Sequence, residues 1–202
     1  KTKESGSTRK MIEQRLAAYY DEMKLYYIST PETRPSNIED VYLLGDQRKY
    51  HVPCPCCGVF IALEWSVEIE GSTEMAGITW KTDENGKLIR ESVGYICQSC
   101  GDFFKESHKY EMNLSGKWIP TAIPEREGNY SYHLSALYAP PGMYDWEHYV
   151  REYLEANPPN GNRKEDLHQT FQNLCLGLPY EISAEEIKAT ELQKNVRSYD
   201  IG

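Results

Sequence analysis

Apolar positions near the start of the chain recur at helical spacing. Along residues 7–22, Ile12, Leu16, Tyr19 and Tyr20 predict an apolar helix face, with Ser7 placed to cap the N-terminus. Residues 23–29 (MKLYYIS) change the rhythm. They are apolar on both alternating faces, the pattern of a covered strand in a parallel sheet, and Thr30-Pro31 closes the run. Ser36 then predicts a short helix through Leu44, with Glu39 at the capping-box position.

The middle of the chain predicts strands. Short runs at 47–53 and 59–69 lie around a first cysteine cluster. Residues 78–82 and 87–96 flank Asp83-Glu84-Asn85-Gly86, where Asn-Gly is a strong hairpin signal. A second cysteine pair ends that hairpin. The last third reads as mostly helical, with a helix over 106–114 stopped by Gly116 and a buried strand over 130–138 broken by Pro140-Pro141-Gly142. Asp145 caps a helix through Ala156, and a loop follows at 157–162. A helix over 164–176 ends at Gly177 and Pro179, and a last helix starts at Ser183 with Glu186 in its capping box.

The expected fold class is therefore α+β. A small β-rich insert over 46–120 is flanked by an αβα piece over 1–45 and a mainly helical segment over 121–202. No internal repeat or low-complexity block stands out.

Composition narrows the function. The chain has 202 residues, 40% hydrophobic and 26% charged, as in a soluble globular protein. Its apolar runs are too short for a membrane helix, and the basic start leads into no signal-peptide core. A net charge of −9 argues against a protein that coats nucleic acid with its whole surface, while leaving room for a local basic face. Sixteen tyrosines against four phenylalanines suit half-buried rings that keep one polar end, in preference to base-stacking platforms.

The cysteines carry the clearest chemistry. Pro53-Cys54-Pro55-Cys56-Cys57-Gly58 and Cys97-Gln98-Ser99-Cys100-Gly101 are two Cys-x-x-Cys-Gly turns of one kind. Such a turn lets two thiolates reach one ion while backbone N–H groups point at the sulfurs, and the glycine closes it at positive φ. Two of them, brought together by a hairpin, predict a structural Zn2+ held by Cys54, Cys57, Cys97 and Cys100. A redox pair would need a single Cys-x-x-Cys ahead of a helix. Cys56 lies inside the first turn but out of register, and Cys175 sits at an apolar helix position as a core thiol. Four sulfurs leave no open position for water activation, so this site is structural.

No catalytic constellation accompanies it. The histidines at 51, 108, 133, 148 and 168 are scattered, His51 being a poor substitute ligand and His133 a core side chain. Carboxylates such as Glu185-Glu186 sit near helix starts as solvated groups. Neither a Gly-x-x-x-x-Gly-Lys-[Ser/Thr] loop nor a Gly-x-Ser-x-Gly elbow occurs.

A longer order of motifs points to a family. Tyr26-Tyr27-Ile28-Ser29-Thr30-Pro31 is followed by Ser36-Asn37-Ile38, Asp46-Gln47-Arg48-Lys49-Tyr50 and Val52-Pro53-Cys54-Pro55-x-Cys57-Gly58. After these come Tyr95-x-Cys97-x-x-Cys100-Gly101, Gly116-x-Trp118 and His133-Leu134-Ser135-Ala136-Leu137-Tyr138-x-Pro140. Trp146, Phe171-x-Asn173 and Leu176-Gly177-x-Pro179-Tyr180 complete the set. From about Glu13 to the end, the chain resembles the large terminase subunit of the phage lambda type, the GpA family, which packages DNA into procapsids.

That resemblance implies an ATPase domain whose phosphate loop and metal-binding carboxylates lie outside this sequence, and a metal-dependent endonuclease beyond it. Asp200 lacks the strand context of a nuclease carboxylate, so no catalytic residue is expected here. Ser29 and Thr30 match the Ser/Thr segment that couples ATP hydrolysis to motion. The resemblance further implies ATP and Mg2+ in the parent, double-stranded DNA, a small subunit and portal or procapsid as partners, a possible homo-oligomer in the motor, and the host cytoplasm as location. Arg48, Lys49, Lys105 and Lys109, with Arg34 and Lys117, are candidate DNA contacts. The competing reading is an independent zinc-ribbon module that recruits a protein or nucleic-acid partner; a nuclease in its own right would need clustered carboxylates.

Overall fold

The structure is a computed structural model and describes residues 8–19, 22–69 and 73–182. The predicted cap Ser7, Tyr20, the last helix from Ser183 with Glu185 and Glu186, and Asp200 lie outside the described residues.

At the N-terminal end, helix α1 (Thr8–Arg15) stops short of the predicted helix and passes through a 3-10 turn at Ala17–Tyr19. The strand expected over 23–29 is not formed. Its alternation survives as alternating exposure, with Tyr26 80% and Ile28 94% exposed, but no strand among the described residues pairs with it. A strand needs a neighbour for its N–H and C=O groups, so this segment is extended without being sheet, and the expected αβα piece lacks its β element. Helix α2 (Asn37–Leu43) follows Ser36 as predicted, yet the Ser36 side chain makes no cap bond. Glu39 is drawn instead to the Arg34 guanidinium at 2.6–3.0 Å.

Two sheets build the centre. In the first, β1 (Arg48–Pro53) pairs antiparallel with β2 (Phe60–Ala62) and, further on, with β7 (Lys117–Ile119), and parallel with β8 (Tyr132–His133). The second runs β3 (Ser66–Glu68), β4 (Met75–Thr82), β5 (Leu88–Ile96), β6 (Phe103–Phe104), all antiparallel. The predicted hairpin between β4 and β5 forms, its turn held by Asp83 Oδ1 accepting from the Asn85 and Lys87 N–H groups at 2.9 and 2.8 Å.

The single run expected over 59–69 breaks between β2 and β3, and two buried tyrosines make the break possible. Tyr138 Oη accepts the Leu63 N–H at 2.6 Å and donates to the Tyr50 carbonyl, while Tyr95 Oη accepts the Glu64 N–H at 3.1 Å and donates to Gln98 Oε1 at 3.0 Å. Backbone groups that leave a ladder inside a core need such partners. Burial pushes both phenols well above their ordinary pKa, so they stay protonated donors. Tyr95 and Tyr138 thus serve the core, while Tyr26, Tyr110, Tyr130 and Tyr144 are exposed.

The core runs past the boundary expected at residue 120. Val52, Ile61, Tyr95 and Phe104 from the sheets pack with Leu137, Tyr138, Trp146 and Val150, all buried together. The buried strand predicted over 130–138 is only the two-residue β8, followed by a 3-10 turn at Ala136–Tyr138 that carries Leu137 and Tyr138 inward. Helix α3 (Lys109–Leu114) precedes β7, and helix α4 (Trp146–Ala156) is capped as predicted, Asp145 Oδ1 accepting the His148 N–H at 2.8 Å. Helix α5 (Glu165–Thr170) widens into a π turn at Phe171–Leu176 and ends at Gly177 with φ 66°. Trp65, just past the β2–β3 break, joins α4 and the π turn to the sheets through ring contacts with Trp80, Tyr153 and Phe171 at 4.7–5.5 Å.

Replacing Tyr138 by Phe strands the Leu63 N–H and the Tyr50 carbonyl in the core. Urea unfolding of Tyr138→Phe is expected to show a loss of about 1–3 kcal/mol, in one transition spanning the sheets and α4.

Candidate metal centre

Strands β1 and β5 each run directly into a cysteine turn, and the two turns have the same internal bonding. The Cys54 N–H donates to the Val59 carbonyl and the Gly58 N–H to the Cys54 carbonyl, both at 2.9 Å. In the second turn, the Cys97 N–H donates to Asp102 and the Gly101 N–H to Cys97, again at 2.9 Å. Gly58 and Gly101 have φ 74° and 73°, the left-handed conformation that closes each turn. The Cys56 N–H points at Cys54 Sγ and the Ser99 N–H at Cys97 Sγ, each at 3.4 Å. Behind them the strands return in equivalent register, Pro53 opposite Phe60 and Ile96 opposite Phe103, with Ile61 and Phe104 turned into the core.

The four sulfurs of Cys54, Cys57, Cys97 and Cys100 lie within 4.8 Å of one another. The first cysteine of each turn is buried and the second exposed, so the cluster sits at the rim of the core. A tetrahedral ion with bonds of about 2.3 Å sets its sulfurs about 3.8 Å apart, so the cluster is close to the required size.

The electrostatics of the thiols favour a cation between them. The Val59 N–H holds the Cys57 thiol below its ordinary range, against partial desolvation. Burial pushes Cys97 up, against the Cys100 and Ser99 N–H groups. At Cys100 the Asp102 N–H favours the thiolate, but desolvation and the sulfurs of Cys97 and Cys57 prevail and its pKa rises. Four negative sulfurs cannot share so small a volume without a positive charge among them, and a soft divalent ion could supply it.

The neighbours stay outside the cluster. Cys56 is exposed and not among the four, and His51 has its Nδ1 3.1 Å from the Lys49 carbonyl. Cys175 is buried, and burial pushes its thiol up to about 12. His133 is half-buried with Nε2 2.9 Å from the Leu176 carbonyl.

The predicted cations fare differently. Lys109 is 5% exposed, paired with Glu106 and lying over Trp146, a structural setting. Arg48 pairs with Asp46 at 2.7 Å beneath the Tyr130 and Tyr132 rings, and Lys49 with Glu64 at 2.7 Å. Arg34 is held between Glu39 and Glu181. Lys105 bonds to the Glu91 and Val93 carbonyls over the Phe103 ring, and Lys117 lies 3.8 Å from the Phe60 ring centroid. Ser29 and Thr30 are exposed and line a cleft with Gln169, Thr170, Asn173 and Leu174. That this cleft faces the π turn had no local signal, because residues so distant in sequence are joined there mainly through backbone groups.

Among the described residues, Cys54, Cys57, Cys97 and Cys100 form a cluster that could hold a metal ion. Residues 1–118 match the model for the phage terminase large subunit gpA, ATPase domain, and residues 129–202 that for the terminase large subunit gpA, endonuclease domain. The chain belongs to the gpA family of phage terminase large subunits, the DNA-packaging proteins of these viruses. No curated protein and no solved structure matches it. Among the described residues, no helix is long and apolar enough to cross a membrane.

Gly58→Ala and Gly101→Ala place a side chain at positive φ in open space. Each is expected to lower stability by a similar amount, about 1–2 kcal/mol by denaturant titration, because the penalty is conformational at both.

Proposed function

We propose that this chain is the zinc-stabilised connector of a DNA-packaging terminase large subunit, lying between its ATP-driven motor and its DNA-cutting domain. The observation that carries the reading is the convergence of Cys54, Cys57, Cys97 and Cys100 from two equivalent turns. Cys54, Cys57, Cys97 and Cys100 would hold a zinc ion there; with every position taken by sulfur it would supply a cross-link between the ends of β1 and β5 and no water activation. The protein's own part is to aim the backbone N–H groups of Val59, Asp102, Cys56 and Ser99 at the sulfurs.

ATP and Mg2+ act in the parent's motor, with Ser29 and Thr30 as the segment that senses nucleotide state. Contact with packaged double-stranded DNA falls to exposed cations. Lys105 and Lys117 are favoured because no carboxylate pairs with them among the described residues, and Arg48 and Lys49 follow because their pairs are partly exposed. The small subunit, the portal and further copies of the chain are the partners this role requires, in the host cytoplasm.

Metal analysis is expected to find about one zinc per chain and a colourless protein; iron in its place would give visible absorption. Cys97→Ser should lose the ion and the cooperative fold of the sheets, while Cys56→Ser keeps both. A metal-free protein with a stable native fold refutes the connector role. DNA binding by the isolated chain should be weak and fall steeply with salt, as phosphate contacts require.

A further inference from the structure

The segment that follows Ser29-Thr30-Pro31 is stitched to the far end of the chain. The Tyr180 N–H donates to the Glu32 carbonyl and the Arg34 N–H to the Tyr180 carbonyl, both at 2.9 Å, making a parallel bridge between Thr33 and Tyr180. Asn173, 8% exposed in the π turn, donates from Nδ2 to the same Glu32 carbonyl at 3.1 Å and to the Leu178 carbonyl at 2.8 Å. Outside this, the Arg34 guanidinium joins Glu39 to Glu181. Residues 29–34 fall in the stretch matched to the ATPase domain, and 169–181 in that matched to the endonuclease domain. A cleft of about 420 Å³ separates Ser29–Glu32 from Gln169–Leu174 just beside the stitched point.

The π turn places the Asn173 amide inside the fold, where it joins the Tyr180 N–H in holding the Glu32 carbonyl and also holds that of Leu178, and such turns recur at functional positions. The Asn173 amide fixes Glu32, only two residues beyond Thr30, so any displacement of Ser29-Thr30 must either carry the π turn with it or break these bonds.

We infer that Asn173 is a positioning residue that links the nucleotide-sensing segment to the endonuclease part of the chain. Movement of Ser29-Thr30 reaches that part through Glu32, Asn173 and Tyr180, a direct contact, instead of along the intervening sheets. This rests on the coupling role proposed above for Ser29 and Thr30.

The test uses the full-length large subunit, with ATP turnover and DNA cleavage measured separately, and cleavage measured with and without ATP. Asn173→Asp keeps the side-chain shape and removes both donated bonds. It is expected to leave zinc content, KM for ATP and nucleotide-free cleavage unchanged while the effect of ATP on cleavage falls about fivefold. Arg34→Gln, which opens only the outer ion pairs, should lower that effect less, and it serves as the readout if Asn173→Asp fails to fold. A folded Asn173→Asp protein with the full ATP effect overturns the inference, as does a wild-type protein whose cleavage ignores ATP. Ser29→Ala with Thr30→Val separates the two readings. If that pair abolishes the ATP response and Asn173→Asp does not, only the link through Asn173 fails; if the pair changes nothing, the coupling role fails as well.

Discussion

Four sulfurs brought within 4.8 Å of one another are the constraint on which the arrangement of this chain rests. They come from the ends of β1 and β5, the central strands of two different sheets, so their meeting fixes how those sheets approach. Once the ends are fixed, Val52 and Ile61 on one side face Tyr95 and Phe104 on the other, and the core between them is set. A chain of this acidity gains little from surface charge pairs, which contribute weakly in water. Hydrophobic burial does the holding, and the four-sulfur cluster lies at the rim of that core.

The tyrosines extend that constraint. Tyr95 and Tyr138 fill the core with their rings and serve Leu63 and Glu64 with their hydroxyls, where β2 gives way to β3. The break turns the chain at Trp65, and that indole is the piece against which Tyr153 and Phe171 pack. The route from the sulfur cluster to the C-terminal helices is therefore continuous contact, with the same tyrosines acting as filler and as hydrogen-bond partners.

What could be read in the sequence follows from how local each signal is. The cysteine turns, the Asn85-Gly86 hairpin, the Asp145 cap and the Gly177 stop depend on residues a few positions apart, and each is present as expected. The failures are of another kind. Residues 23–29 have the pattern of a strand but pair with no strand among the described residues, since pattern records burial and not pairing. The 59–69 run breaks because hydroxyls from Tyr95 and Tyr138 reward the break, and the Ser36 capping box is undone because Arg34 competes for Glu39. Lys109 reads like any surface lysine until Glu106 and Trp146 enclose it. In the candidate site, the two cysteine turns were legible and their surroundings were not.

One sheet also bears on how genes of this kind can be divided. The ATPase match ends at residue 118 inside β7, and the endonuclease match begins at 129, just before β8, yet both strands lie against β1. A seam drawn from sequence families runs through a shared hydrogen-bonded ladder. Expressing the halves as separate polypeptides would bare an edge of β1 and part of its core, inviting sticky, mispaired products. Recombination between relatives that swaps one half for the other must therefore keep the two halves matched at this ladder, so the unit of inheritance here is larger than either named domain.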